Sequence, residues 1–138
     1  MEVGHLCMCS NLRRAARAIT QLYDRRLKPS GLRATQLAVL VAARAMDAVP
    51  VTRMAAGLGM DRTTLTRNLR PLARRGLVEV RSSQDARVRE VRLTERGRAT
   101  LARALPLWER AQSAVAKSLG EARLRRLLSE LADVATLS

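Results

Sequence analysis

Between residues 61 and 70 the chain reads DRTTLTRNLR, which sets Arg62, Thr63, Thr66, Arg67 and Arg70 around recurring leucines. These residue types can read base edges: an arginine fork matches the acceptors of guanine, and threonine offers a hydroxyl or a methyl to thymine. Arg67, Thr63 and Thr66 are expected at bases and Arg62 and Arg70 nearer phosphates, with a plain charged helix face as the alternative for the last two. A second set, His5-Leu-Cys7-Met-Cys9, gathers sulfur and imidazole within five residues. It has three readings. The cysteines could be small buried residues at a subunit contact. Cys9 could be an oxidant-sensing thiolate, favoured by helix-start amides and nearby arginines. His5, Cys7 and Cys9 could hold a soft metal ion, although the expected site has no metal and no cofactor. A Cys7–Cys9 disulfide within one helix is not expected, because side chains two apart point to different sides. Nothing points to an enzyme: there is one histidine, with no clustered carboxylates, glycine-rich phosphate loop or nucleophile elbow.

The elements that must position these residues follow from spacing. Leu65, Leu69 and Leu72 fall at i, i+4 and i+7, one buried helical face that turns the arginines and threonines outward. Asp61 is expected to cap that helix and Thr52 a short one before it, with Gly57 and Gly59 breaking the chain between. Two helices joined by a tight glycine-bearing turn make a helix-turn-helix. Thr52 and Arg53, opening the first of them, could hold phosphate at its amide-rich end. Residues 77–81 and 88–93 suit strands, with Val88, Val91 and Leu93 as apolar branched side chains. Ser82, Ser83, Gln84, Asp85 and Ala86 form a polar tip between them. A helix-turn-helix followed by a basic hairpin is a winged helix, and Thr94 should cap the helix that follows.

Helices flank this unit. Residues 6–28 place Leu12, Ala16, Ile19 and Tyr23 on one face, away from Arg13, Arg14, Arg17 and Arg25, and the pair Pro29 and Gly31 ends the helix. Residues 32–46 make a second helix, capped by Thr35, with Leu37, Leu40 and Val41 facing the core. A loop over 47–50 follows, and Val51 could begin a short edge strand. Pro71 should loosen the end of the base-reading helix towards Gly76. Residues 94–118 form a long helix with Leu101, Leu105, Trp108, Val115 and Leu119 on its apolar side and a kink at Pro106. After Gly120, residues 121–135 present Leu124, Leu127, Leu128, Leu131 and Val134. The apolar surface of these end helices exceeds what a small winged domain can cover, so a partner set of helices is expected.

At 138 residues the chain has room for one core. With one Trp, one Tyr and no Phe, that core must be built from Leu, Ala and Val. The net charge is +14, and residues 61–98 are its densest part, with eleven arginines against five carboxylates, as a polyanion-binding surface requires. No apolar run reaches about 18 residues and no secretory leader is evident, so a cytoplasmic protein with reduced cysteines is expected.

The ordered set LGMDRTTLTR (58–67), RGLV (75–78), DAR (85–87) and LTERG (93–97) resembles the MarR family of bacterial transcription regulators. The resemblance extends over essentially the whole chain. It implies a mainly α fold with a small β-hairpin wing, a winged helix-turn-helix flanked by N- and C-terminal dimerisation helices. The corresponding segments are an N-terminal dimerisation helix (1–31), a DNA-binding domain (32–97) and C-terminal dimerisation helices (98–138), interlocked in a homodimer. It also implies that Asp85 orients the wing while Arg87 enters the minor groove, where a narrow A·T tract concentrates negative potential. Arg81 and Arg89 could flank it on phosphates. An effector pocket between the dimerisation helices and the reading head is implied as well. Cys9, fourteen residues before Tyr23, resembles the organic-hydroperoxide-sensing branch of the family; where that branch has a second tyrosine this chain has Ala34. The expected function is a homodimeric repressor on pseudo-palindromic double-stranded operator DNA, with half-sites about 10 bp apart. Release would follow binding of a small molecule or oxidation of Cys9. The alternative is a sequence-tolerant architectural DNA-binding protein, which a specificity ratio near one would reveal.

Overall fold

Leucine and alanine at helical spacing build long helices at both ends of the chain, and a three-stranded sheet forms only where β-branched residues alternate. The computed structural model describes residues 3–137. A short helix α1 (Val3–Leu6) leads into α2 (Met8–Leu27), with Cys7 at the N-cap between them, rather than one helix over 6–28. A 3-10 turn at Lys28–Ser30 then leads to α3 (Ala34–Arg44). The cap of α3 is Arg33 and not Thr35: the Gln36 side chain accepts the Arg33 N–H at 3.0 Å, and Asp24 of α2 accepts the Ala34 N–H at 2.7 Å. The first contact comes from within α3 and the second from α2; together they satisfy two amides at the helix start, and Thr35 is exposed.

Next come β1 (Val49–Pro50), α4 (Val51–Leu58) and α5 (Arg62–Arg74). The edge strand ends where it was expected to begin, because Val49 and Pro50 pair with Val91 and Glu90 and Val51 already opens the helix. Consequently Pro50 takes the N-cap position of α4, without a side-chain cap, and Thr52 lies inside the first turn. Gly57 does not break α4. Gly59 does, at φ 66°, a left-handed backbone that only glycine takes without strain. Asp61 caps α5 as expected, accepting the Thr64 N–H at 2.7 Å. Pro71 sits inside α5, which continues to Arg74.

Strands β2 (Val78–Ser82) and β3 (Arg89–Leu93) form the wing, each beginning one residue later than expected; with β1 they make an antiparallel sheet in the order β1-β3-β2. The chain closes with α6 (Glu95–Leu119), which continues across Pro106, and α7 (Glu121–Ala135). Leu27, Leu40, Leu65, Leu72, Leu77 and Leu101 are fully buried at the centre, where α3, α5, the sheet and α6 meet. Val41, expected in that core, is instead exposed.

One joint locks the wing to the end helices. Thr94 caps α6 by accepting the Gly97 N–H at 2.9 Å, and its hydroxyl donates to the Gly76 carbonyl at 2.6 Å. A Cβ at Gly97 would lie 2.1 Å from the Leu77 carbonyl oxygen, so only glycine allows this approach. By contrast α7 buries no residue at all, and Leu127, Leu128 and Leu131 are exposed. Among the described residues no helix is long and apolar enough to cross a membrane.

Candidate nucleic-acid interface

The buried side of α5 is Leu65, Leu69 and Leu72, and this fixes what its other side presents. Arg62, Thr63, Thr66, Arg67 and Arg70 are all exposed and together line one continuous shallow surface. The Thr66 hydroxyl donates to the Arg62 carbonyl at 2.9 Å, so it meets a partner as an acceptor or through its methyl. At the start of the helix, the amide and then the hydroxyl of Thr64 hold the Asp61 carboxyl below its ordinary pKa, with help from the nearby Arg67.

Strand alternation sorts the wing arginines onto two faces. Arg89 shares a face with Val91 and turns towards α5, where it lines a groove with Arg62, Thr66 and Arg70 over a floor of Leu69 and Val80. The groove has a volume of about 590 Å³ and gathers three guanidinium groups, a seat for polyanion backbone. Arg81 lies on the opposite face, 3.0 Å from Glu79 and in register with Glu90. Both members of that ion pair are largely exposed, so it contributes little. The structure therefore brings Arg89, but not Arg81, to the outer face of α5.

The tip is built by Ser83 and Asp85. Ser83 N–H donates to Val88 O at 2.8 Å, Ser83 Oγ donates to Asp85 O at 2.8 Å, and Asp85 Oδ1 accepts the Arg87 N–H at 3.1 Å. Such side-chain bonds fix a short polar turn. The exposed Arg87 side chain thereby projects from a shaped tip. Thr52 and Arg53 are exposed in the first turn of α4, which has no acidic residue and no side-chain cap, leaving its amides open to an anion.

The sulfur set is arranged differently from expectation. Cys7 at the N-cap of α2 is the thiol whose pKa is lowered, first by the backbone and then by the side chain of Ser10, while Cys9 is exposed in the first turn of the helix. Cys9 and Tyr23 share α2 at a spacing of about 21 Å along its axis, so only a second chain could bring them together. The Tyr23 hydroxyl donates to Gln112 of α6, and burial raises the phenol's pKa. Among the described residues no group of three His, Cys, Asp or Glu is placed to hold a metal ion.

Tyr23 also opens onto a feature whose lining had no obvious sequence signal. An apolar cavity of about 680 Å³ lies between α2, α3, α4 and α6, walled by Tyr23, Leu37, Val41, Leu58, Leu105 and Trp108. Ala34, Ala38 and Ala42, at i, i+4 and i+8 on α3, leave its space empty, and among the described residues Arg44 is the one charged group on its wall. The alanine spacing was the available sign, but small residues on a helix face more often signal close packing than a void.

The MarR family model matches residues 32–88. Among solved structures, the chain is similar to the M. tuberculosis transcriptional regulator MosR in complex with DNA, with 43% identity over 95% of this chain and 99% of that one and a TM-score of 0.82. It is similar to the transcriptional repressor CouR bound to a 23-mer DNA duplex, with 32% identity over 98% of each chain and a TM-score of 0.85. CouR bound to p-coumaroyl-CoA gives 29% identity over 100% of this chain and 98% of that one, with a TM-score of 0.88. No curated protein matches the sequence.

Proposed function

The chain belongs to the MarR family and is a DNA-binding transcription regulator with a winged helix-turn-helix fold; we propose that it is a homodimeric repressor released from its operator by a small molecule or by oxidation of Cys9. The observation that carries the DNA-binding site is the single surface formed by Arg62, Thr63, Thr66, Arg67 and Arg70, continued by Arg89 across the groove. Arg67, Thr63 and Thr66 read bases, Arg62, Arg70 and Arg89 hold phosphates, and Arg87 enters the minor groove from a tip oriented by Asp85. Thr52 and Arg53 take phosphate at the start of α4. Arg81 can join them only by leaving Glu79.

Homodimer formation is supported by the uncovered apolar side of α7 together with exposed Leu6, Met8 and Ile19 at the other end of the chain. On this reading residues 1–31 and 98–138 are dimerisation segments around the DNA-binding domain of 32–97, and the protein acts in the cytoplasm. Release by a small molecule is supported by the apolar cavity. Its walls suit a hydrophobic body and Arg44 suits an anionic end group. Solved structures hold the similar protein CouR bound to a DNA duplex and bound to p-coumaroyl-CoA. Release by oxidation is supported by the exposure of Cys9, two residues from Cys7, whose thiol pKa is lowered by Ser10.

The test uses a duplex selected by the reduced protein from a random library. Wild type and Cys9→Ser are titrated on it with an organic hydroperoxide, and separately with aromatic acids and their coenzyme A thioesters. Release of the wild type but not the variant by hydroperoxide makes Cys9 the trigger. Release of both by an aromatic ligand assigns control to the cavity. A complex that withstands every titrant overturns the release reading.

A further inference from the structure

Both ends of the base-reading helix are tied to walls of the same cavity. At its start, Leu58 lines the cavity and stands three residues before the cap Asp61, with only Gly59 and Met60 between. At its end, Arg75 immediately follows the last turn of α5 and reaches back 44 residues in sequence, its Nη1 donating to the Gly31 carbonyl at 2.9 Å. Ala34 lies three residues beyond Gly31 and is itself a wall of the cavity. Its amide is held by Asp24 of α2, next in sequence to Tyr23, a further wall. So displacement of α2 and α3 by a ligand moves the anchor of the helix end, and displacement of α4 moves its start.

Helix α5 is about 20 Å long and runs unbroken from Arg62 to Arg74 across Pro71, so unequal shifts at its two anchors become a tilt. A tilt takes Arg67 and Thr63 out of register with base edges, since base-edge hydrogen bonds tolerate little displacement. The Arg75 bond is exposed and spans distant parts of the chain, so its main effect is on position rather than on stability. We propose that Leu58 and Arg75 are positioning residues through which cavity occupancy sets the tilt of the recognition helix, filling of the cavity withdrawing it from DNA. This rests on the effector reading above, to which it adds the route.

The route can be tested without knowing the ligand, by filling the cavity with a side chain. Ala38 lines it from the middle of α3, and Ala38→Trp, or the smaller Ala38→Leu if the larger residue prevents folding, stands in for a bound molecule. In the wild-type background the filler should lower affinity for the selected operator about tenfold, within the usual range of allosteric coupling. In an Arg75→Ala background, which has no side-chain donor for the Gly31 carbonyl, the same filler should cost less than about twofold. Arg75 does not line the cavity, so its replacement leaves the space to be filled unchanged. An equal loss in both backgrounds leaves effector release standing and overturns the route through Arg75 and Leu58. A folded filler variant that binds the operator as tightly as wild type overturns both.

Discussion

The carboxylate of Asp85 accepts the backbone N–H of Arg87 at 3.1 Å, so the aspartate shapes the wing tip while the arginine side chain remains available to a partner. Arg87→Ala should therefore cost affinity chiefly on operators with A·T-rich flanks, where the minor groove is narrow and strongly negative. Asp85→Ala should lose affinity on the same operators although its own side chain carries the wrong charge for DNA. Binding measured on flanks of both compositions checks the pair. If Arg87→Ala changes neither, the wing does not enter the groove.

Gly97 packs against the Leu77 carbonyl at a distance that leaves no room for a methyl group. Gly97→Ala should destabilise the fold by about 1–3 kcal/mol or more, since the backbone must shift to admit a Cβ. Thr94→Ala, which removes both the cap on Gly97 and the hydroxyl's bond to the Gly76 carbonyl, should cost about 1–2 kcal/mol. Urea unfolding of both variants gives the order. A Gly97→Ala variant as stable as wild type would show that α6 does not approach the wing as described.

Asp61 titrates below its ordinary value because it caps α5, so folding favours its charged form. Its contribution is fully present above the unfolded carboxylate value and is lost as pH falls through the lowered, folded one. Wild type should thus lose stability relative to Asp61→Asn as pH drops from about 5 towards 3, and the two should differ by a constant amount near neutrality. Thermal midpoints across that range test the sign; a wild-type advantage that widens in acid contradicts the cap.

Wild type should sediment as a dimer, and deletion of residues 121–138 should leave a monomer, because α7 buries nothing within its own chain. Sedimentation would falsify this assignment if the truncated protein remained dimeric.

What could be read in advance was local. Leu65, Leu69 and Leu72 announce a helix face within one stretch, and Asp61 and Thr94 are caps whose donors lie three residues away. What escaped depends on distant pairing. The start of α4 is set by Val49 meeting Val91, which displaced Thr52 from the cap. Likewise Arg75 with Gly31, and Tyr23 with Gln112, join residues that no periodicity brings together. The exposed arginine and threonine surface of α5 followed from the local pattern, whereas the cavity and its links to α5 needed the tertiary arrangement. Arg81 and Arg89 show the same division, because strand register, not residue type, decides which of them faces the helix.

The most direct test is the affinity of the reduced protein for its selected operator and for random duplex, each across a range of salt, with Arg67→Ala alongside. The operator should be bound at least about a thousandfold more tightly than random DNA, with both affinities falling steeply as salt rises. Arg67→Ala should lose about 1–3 kcal/mol on the operator and much less on random duplex. A wild-type ratio near one, or an equal loss on both duplexes, would contradict base reading by α5 and leave a protein that binds the backbone alone.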